Sequence, residues 1–114
     1  VVFLSESLRM ESQGKIKVTT VRPTGVPATG LGSGIVNPEA VSGLLGSNTA
    51  AYLSKFEVAA AGQLPASHLD INDIEYFALD PSSLADQIVH TINQPWGVAI
   101  TDITVRASGD GYIL

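Results

Sequence analysis

The sequence predicts an α+β fold, a mainly antiparallel sheet of about four strands with one clear helix packed on it, in a single domain over residues 1–114. Three stretches carry this reading. Residues 2–11 and 15–22 alternate apolar and polar side chains on either side of Ser12-Gln13-Gly14, as the arms of an N-terminal β-hairpin do. Asp80-Pro81 opens a helix over about 81–93. Val98 and Ile100, then Ile103 and Val105, alternate again with a parity switch across Thr101-Asp102, as at a bulge or in a strand buried on both faces, and supply a C-terminal strand.

In the hairpin, Val2, Leu4, Leu8 and Met10 share one parity, and only Glu6 breaks it. A three-residue loop at Ser12, Gln13 and Gly14 sets Met10 against Ile16 and Leu8 against Val18, with Gly14 taking the positive φ of a G1 bulge. A two-residue loop would oppose Met10 to Lys17 and put the apolar faces out of match. The three-residue register places Arg9, Lys15 and Lys17 together on the outward face. Ordinary solvent-facing strand positions are the favoured account of that patch, and a site for a small anion or an acidic partner is the functional alternative.

Residues 22–34 hold Pro23, Gly25, Pro27, Gly30, Leu31, Gly32 and Gly34, a composition that supports no regular element. A Gly/Pro loop of this length in a small domain fits an extended arm or cover that contacts a partner. These seven residues are therefore candidate interaction residues. Gly30, Gly32 and Gly34 lack the spacing of a dinucleotide or phosphate loop, so no cofactor is expected.

Asn37 and Pro38 read as the cap and first residue of a short helix through Leu45, closed by Gly46. Residues 49–61 fit either a helix capped by Thr49 that buries Leu53, Phe56 and Ala60, or a strand through Leu53–Ala59. Residues 68–79 read as an irregular strand whose parity shifts between Ile71 and Ile74, as at a bulge. In the 81–93 helix, Leu84, Ile88, Val89 and Ile92 mark one face, with Asp86, Gln87 and His90 outside it, and Pro95 lies just past its end. Trp96, between Pro95 and Gly97, fits a plug over the end of a helix–strand layer or a contact residue at an interface. Ser108-Gly109-Asp110-Gly111 is a turn, and Tyr112-Ile113-Leu114 is an apolar end.

Only 15% of the residues are charged while 45% are hydrophobic, against about one quarter charged in an average globular chain. A surface so short of charge is either unusually apolar or covered by another subunit. The net charge of −5 argues against nucleic acid as the main partner. No apolar run approaches the roughly 20 residues that span a bilayer, so no membrane insertion is expected. With no cysteine, disulfides and thiolate chemistry are excluded. Residues 1–69 hold five bases and four acids, whereas residues 70–114 hold seven acids and Arg106 alone, a division that suits head-to-tail subunit contacts or a solvated acidic face. From Pro23 to Leu53 the only charge is Glu39, and this near-neutral stretch is where a covered surface is expected.

No catalytic, cofactor-binding or metal-binding residues are assigned. Ser67 or Ser33 with His68 and Asp70 lacks the nucleophile-elbow spacing. His68-x-Asp70-x-Asn72-Asp73-x-Glu75 is the densest set of oxygen ligands, but on a strand its members divide between two faces. His90, near a helix C-terminus, is favoured there by the helix dipole. Three function classes remain. The first is a non-enzymatic structural or assembly subunit that self-associates into a homo-oligomer or larger particle, such as a virion component or another multimeric assembly. The second is a small extracytoplasmic binding or adaptor module with a concave apolar site. The third is a small acid–base enzyme built on His68 and its neighbouring carboxylates. The partner expected in the first class is the chain itself or another protein subunit.

Overall fold

The computed structural model of the chain describes residues 2–113. Leu114, the last residue of the apolar end, lies outside them. Among the described residues there are four α-helices, α1 (Val2–Ser12), α2 (Glu39–Leu45), α3 (Thr49–Ala60) and α4 (Pro81–Ile92), and two short strands, β1 (Thr20–Pro23) and β2 (Asp102–Val105). The strands pair in parallel, with Thr20 opposite Asp102 and Pro23 opposite Val105. The antiparallel four-stranded sheet with a single helix is therefore overturned in favour of a largely helical fold with a two-stranded parallel sheet.

The predicted hairpin fails because its alternation has a second solution. Leu4 and Leu8 share a parity, but they are also four apart, and after Val2 the segment has no β-branched residue to favour a strand. Glu6 and Arg9 are three apart and form an ion pair of 2.8 Å that a helix brings together. That pairing holds the Glu6 carboxyl below its ordinary value, mainly through the hydrogen bond from Arg9. Gln13 (φ 50°) and Gly14 (φ 78°) then stop the helix in the left-handed region. Gly14 adopts the positive φ expected of it, but at a helix end and not in a hairpin turn. With no hairpin, the outward trio of Arg9, Lys15 and Lys17 does not form as expected, since Arg9 turns to Glu6 and Lys17 to backbone carbonyls.

The strand expected over 68–79 is also absent. A short 3-10 turn covers Ala66–Leu69, and the rest is turns and coil up to α4. Asp70 Oδ1 accepts the Asn72 backbone N–H at 2.9 Å, and Asp73 Oδ1 accepts that of Glu75 at 2.9 Å. Such side-chain acceptors offer the backbone a local partner in place of a sheet ladder. Residues 49–61 resolve as helix α3. Its buried residue is Tyr52, while Leu53 and Ala60 are exposed. The short helix α2 begins where Asn37 Oδ1 accepts the Glu39 N–H at 3.0 Å and ends at Gly46, φ 55°. Helix α4 lies where the Asp80-Pro81 signal places it.

The described residues form two compact units. One comprises residues 2–23 and 82–105, the other residues 24–81 and 106–113. The first holds α1, β1, most of α4, and β2. It has one buried side chain among its described residues, that of Thr91, whose hydroxyl donates to the Gln87 carbonyl at 2.9 Å.

The second unit owns the hydrophobic core. Leu45, Tyr52 and Phe77 are buried together, with Val41, Leu64, Ala78 and Tyr112 packed against them. Tyr52 meets Phe56 and Tyr112 edge to face, both at 5.2 Å between ring centres, and Phe56 meets Phe77 at 5.5 Å. Residues 106–113 complete this unit, with the Gly109 N–H donating to the Tyr76 carbonyl at 2.7 Å and the Ile113 N–H to the Leu44 carbonyl at 3.0 Å. Leu45 is fully buried, so Leu45→Ala is expected to destabilise the unit by about 2–5 kcal/mol, the transfer and cavity cost of such a truncation. Urea denaturation followed by far-UV circular dichroism measures it.

Candidate functional site

The residues singled out from the sequence fall in different places. Pro23 ends β1 and is exposed. Gly25 lies in the second unit against the Tyr112 ring. A Cβ there would stand 2.7 Å from Tyr112 Cε2, so Gly25 is glycine for internal packing. Pro27, Gly30, Leu31, Gly32 and Gly34 are all exposed, and Gly32–Gly34 forms a single 3-10 turn. The exposure continues to Val36, which is 98% accessible. Cβ atoms added at Gly30, Gly32 or Gly34 would meet nothing within 4 Å.

Trp96 belongs to the first unit and is 72% exposed, so its reading as a core plug is corrected. The Lys17 ammonium sits 5.2 Å from the Trp96 ring centre and donates to the Pro95 and Val98 carbonyls. Beside this pair runs a groove of about 480 Å³, walled by Ile88 and Ile92 of α4, Val21 of β1, Ile100, Ile16 and Trp96. Lys17 is the one charged residue lining it, and its ammonium is already engaged by carbonyl oxygens. A smaller cavity of about 270 Å³ shares Ile16, Lys17, Trp96 and Ala99 with the groove and reaches Arg9 at the end of α1.

The groove is exposed because α4 is only partly covered. Its apolar sector runs from Leu84 through Ile88 and Ile92 to Val89 around the helix. On the opposite edge Thr91 is buried and Leu84 half-buried. The rest is open: Val89 is 53% and Ile92 72% exposed. Sequence periodicity locates this sector but does not reveal that half of it lacks cover.

In the second unit, the Asp110 carboxylate has a side-chain exposure of 1% and accepts from Arg106 at 2.6 Å, from Thr24 at 2.7 Å and from the Tyr112 N–H at 3.1 Å. Arg106 also donates to the Tyr112 carbonyl at 2.6 Å, and the Asp110 hydrogen bond raises its ionisation further above its ordinary value. Nothing in the sequence marks Asp110 apart from the other six acids after residue 69. A cavity of about 220 Å³ nearby is lined by Asn48, Tyr52, Lys55 and Gly109–Gly111. Burial, a side-chain hydrogen bond with Tyr112 and the Asp110 charge all push the Tyr52 phenol well up from its ordinary 10.0.

The polar run 68–75 does not assemble as a ligand set. Asp70 and Asp73 hold their own turns. Glu75 accepts from Ser67 at 2.6 Å and stands 3.7 Å from His68 Nε2, so the serine hydroxyl is turned to the carboxylate and not to the imidazole, unlike a Ser-His-Asp arrangement. Among the described residues no group of three or more His, Asp or Glu side chains is placed to hold a metal ion. No helix among them is long and apolar enough to cross a membrane.

Charge separates by unit. The first has four bases (Arg9, Lys15, Lys17, Arg22) and four acids (Glu6, Glu11, Asp86, Asp102), and is neutral overall. The second has Lys55 and Arg106 against seven acids (Glu39, Glu57, Asp70, Asp73, Glu75, Asp80, Asp110), which accounts for the whole −5. Comparison with known protein families, curated proteins and solved structures finds no match for this chain.

Two outcomes follow for the second unit. Asp110→Ala leaves the Thr24 hydroxyl and the Tyr112 N–H without their acceptor and is expected to cost about 1–3 kcal/mol, read from urea denaturation. A phenol whose ionisation folding pushes up contributes stability that is fully present below its unfolded value and is lost as pH rises. Stability is therefore expected to fall as pH climbs past 10.0. Tyr52→Phe should remove most of that alkaline loss in thermal melts compared at about pH 9 and pH 11, on either side of the ordinary phenol value.

Proposed function

We propose that this chain is a non-enzymatic structural or assembly subunit that self-associates into a homo-oligomer or larger particle. One observation carries the reading. Among the described residues five apolar side chains are buried, all in the second unit, while twenty-two large apolar side chains are exposed. Eleven of the exposed ones, including Phe3, Leu4, Met10, Ile92 and Trp96, lie in the first unit, which buries none.

Magnitudes favour association. Burying a large apolar side chain contributes about 1.5–3 kcal/mol. Association costs on the order of 4–15 kcal/mol in lost translation and rotation. Half a dozen of these side chains covered at one interface offset that cost. The exposed arm with Leu31 and Val36 adds a further segment for contact with other subunits.

A second reading, a monomeric binding module, draws on the 480 Å³ apolar groove of the first unit. Size-exclusion chromatography with light scattering separates the two. An assembly subunit elutes at two or more times the chain mass of 11.9 kDa, with a concentration-dependent population. A single 11.9 kDa species at every concentration overturns the assembly reading and leaves the binding module.

A further inference from the structure

We infer that Lys17 is a charge-dependent latch: its ammonium fastens residues 94–98 to the segment leading into β1 and holds Trp96 exposed beside the groove, so that removing this one charge frees the loop. The inference stands apart from the self-association reading and concerns the first unit alone.

The latch is built from backbone carbonyls. Past the end of α4 the chain turns at Pro95, where the Val98 N–H donates to the Pro95 carbonyl at 2.9 Å. That turn sets the carbonyls of Pro95 and Val98 around one point, and Lys17 Nζ donates to both. It also reaches the Gln94 carbonyl at 3.4 Å. An ammonium carries three N–H groups on a single nitrogen, so three converging carbonyls match its donors. The same nitrogen lies 5.2 Å from the centre of the Trp96 ring, whose quadrupole attracts a cation. Among the described residues no carboxylate pairs with Lys17, so its charge is balanced by the carbonyl dipoles and the indole of this one loop.

Little else holds the loop. Further along, the Thr19 hydroxyl donates to the Ile100 carbonyl at 2.7 Å and the Thr20 N–H to the Thr101 carbonyl at 3.0 Å, and the β1–β2 ladder follows. Those bonds fix residues 100–105 and leave 94–98 to Lys17. On the helix side the Gln94 side-chain amide donates to the His90 carbonyl at 3.0 Å, which anchors only the start of the loop. Packing adds little at Trp96, which is largely exposed. A segment with few buried contacts opens locally at low cost, and here the main contact is a single side chain. Ile16, Lys17 and Trp96 line both cavities of this unit, so the latch sets one wall of each.

Trp96 is the only tryptophan in the chain, and its indole N–H therefore reports on this loop alone. Lys17→Met keeps the apolar stem and removes the ammonium. With an unchanged far-UV circular dichroism spectrum, the heteronuclear NOE of the Trp96 indole is expected to fall by about half or more, the mark of motion on the picosecond–nanosecond scale. Lys15→Met, which removes an exposed charge two residues away, is expected to leave it unchanged. An unchanged NOE in Lys17→Met overturns the latch, and so does an equal fall in Lys15→Met. Should Lys17→Met lose its spectrum, NMR of the wild-type chain decides. The Lys17 ammonium protons are then expected to exchange with water more slowly than those of Lys15, and the Lys17 ε-protons to be shifted upfield by the indole. Absence of either overturns the latch.

Discussion

The first unit depends on one short parallel ladder. Residues 20–23 and 102–105 are joined backbone to backbone, with Thr20 N–H donating to Thr101 O at 3.0 Å just before it and the Arg22–Asp102 ion pair bracing one end. Parallel strands cannot be joined by a tight turn, so everything between them has to travel out and return. Helix α4 is the last helix of that return, followed by the loop that carries Trp96. Closing so long an excursion costs only slowly more as it lengthens, which makes the intervening chain tolerable. What the ladder does not provide is cover. Two parallel strands have too little surface to bury α1, α4 and the Trp96 loop, and apolar side chains from all three stay in the open.

The second unit solves the opposite problem. It carries all the excess negative charge and nearly all the buried apolar volume. Its core is small but specific: a T-shaped aromatic group about Tyr52 above the fully buried Leu45. Asp110 ties the returning tail to Thr24 at the start of the unit, through a carboxylate held almost entirely out of water. A buried charge is tolerable only when it is fully hydrogen-bonded, and three donors meet that requirement here.

Some of this is legible in the residues themselves. Asp80-Pro81 and the Leu84–Ile92 spacing locate α4, because capping and helical periodicity are local properties. Asn37 and Gly46 bound α2 for the same reason. The Val2–Met10 segment shows where such reading stops. Its side chains satisfy a period of two and an i, i+4 pairing at once, and the Glu6–Arg9 pair together with the turn at Gln13-Gly14 settles the matter for a helix. At 68–79 the apolar residues alternate well enough for a strand, but Asp70 and Asp73 satisfy the backbone locally first.

By itself, then, the sequence determined the shortage of charge, the positions of α2 and α4, the positive φ at Gly14, and the exclusion of thiol chemistry. These follow from composition and from interactions within a few residues. Only the tertiary structure decided that β1 pairs with β2 in parallel, that Asp110 alone among the late acids is buried, and that charge and core both gather in the second unit. It also decided that Trp96 stands in the open. Each of these depends on which distant segments meet, and a periodic pattern records which face of an element is apolar without recording what, if anything, covers it.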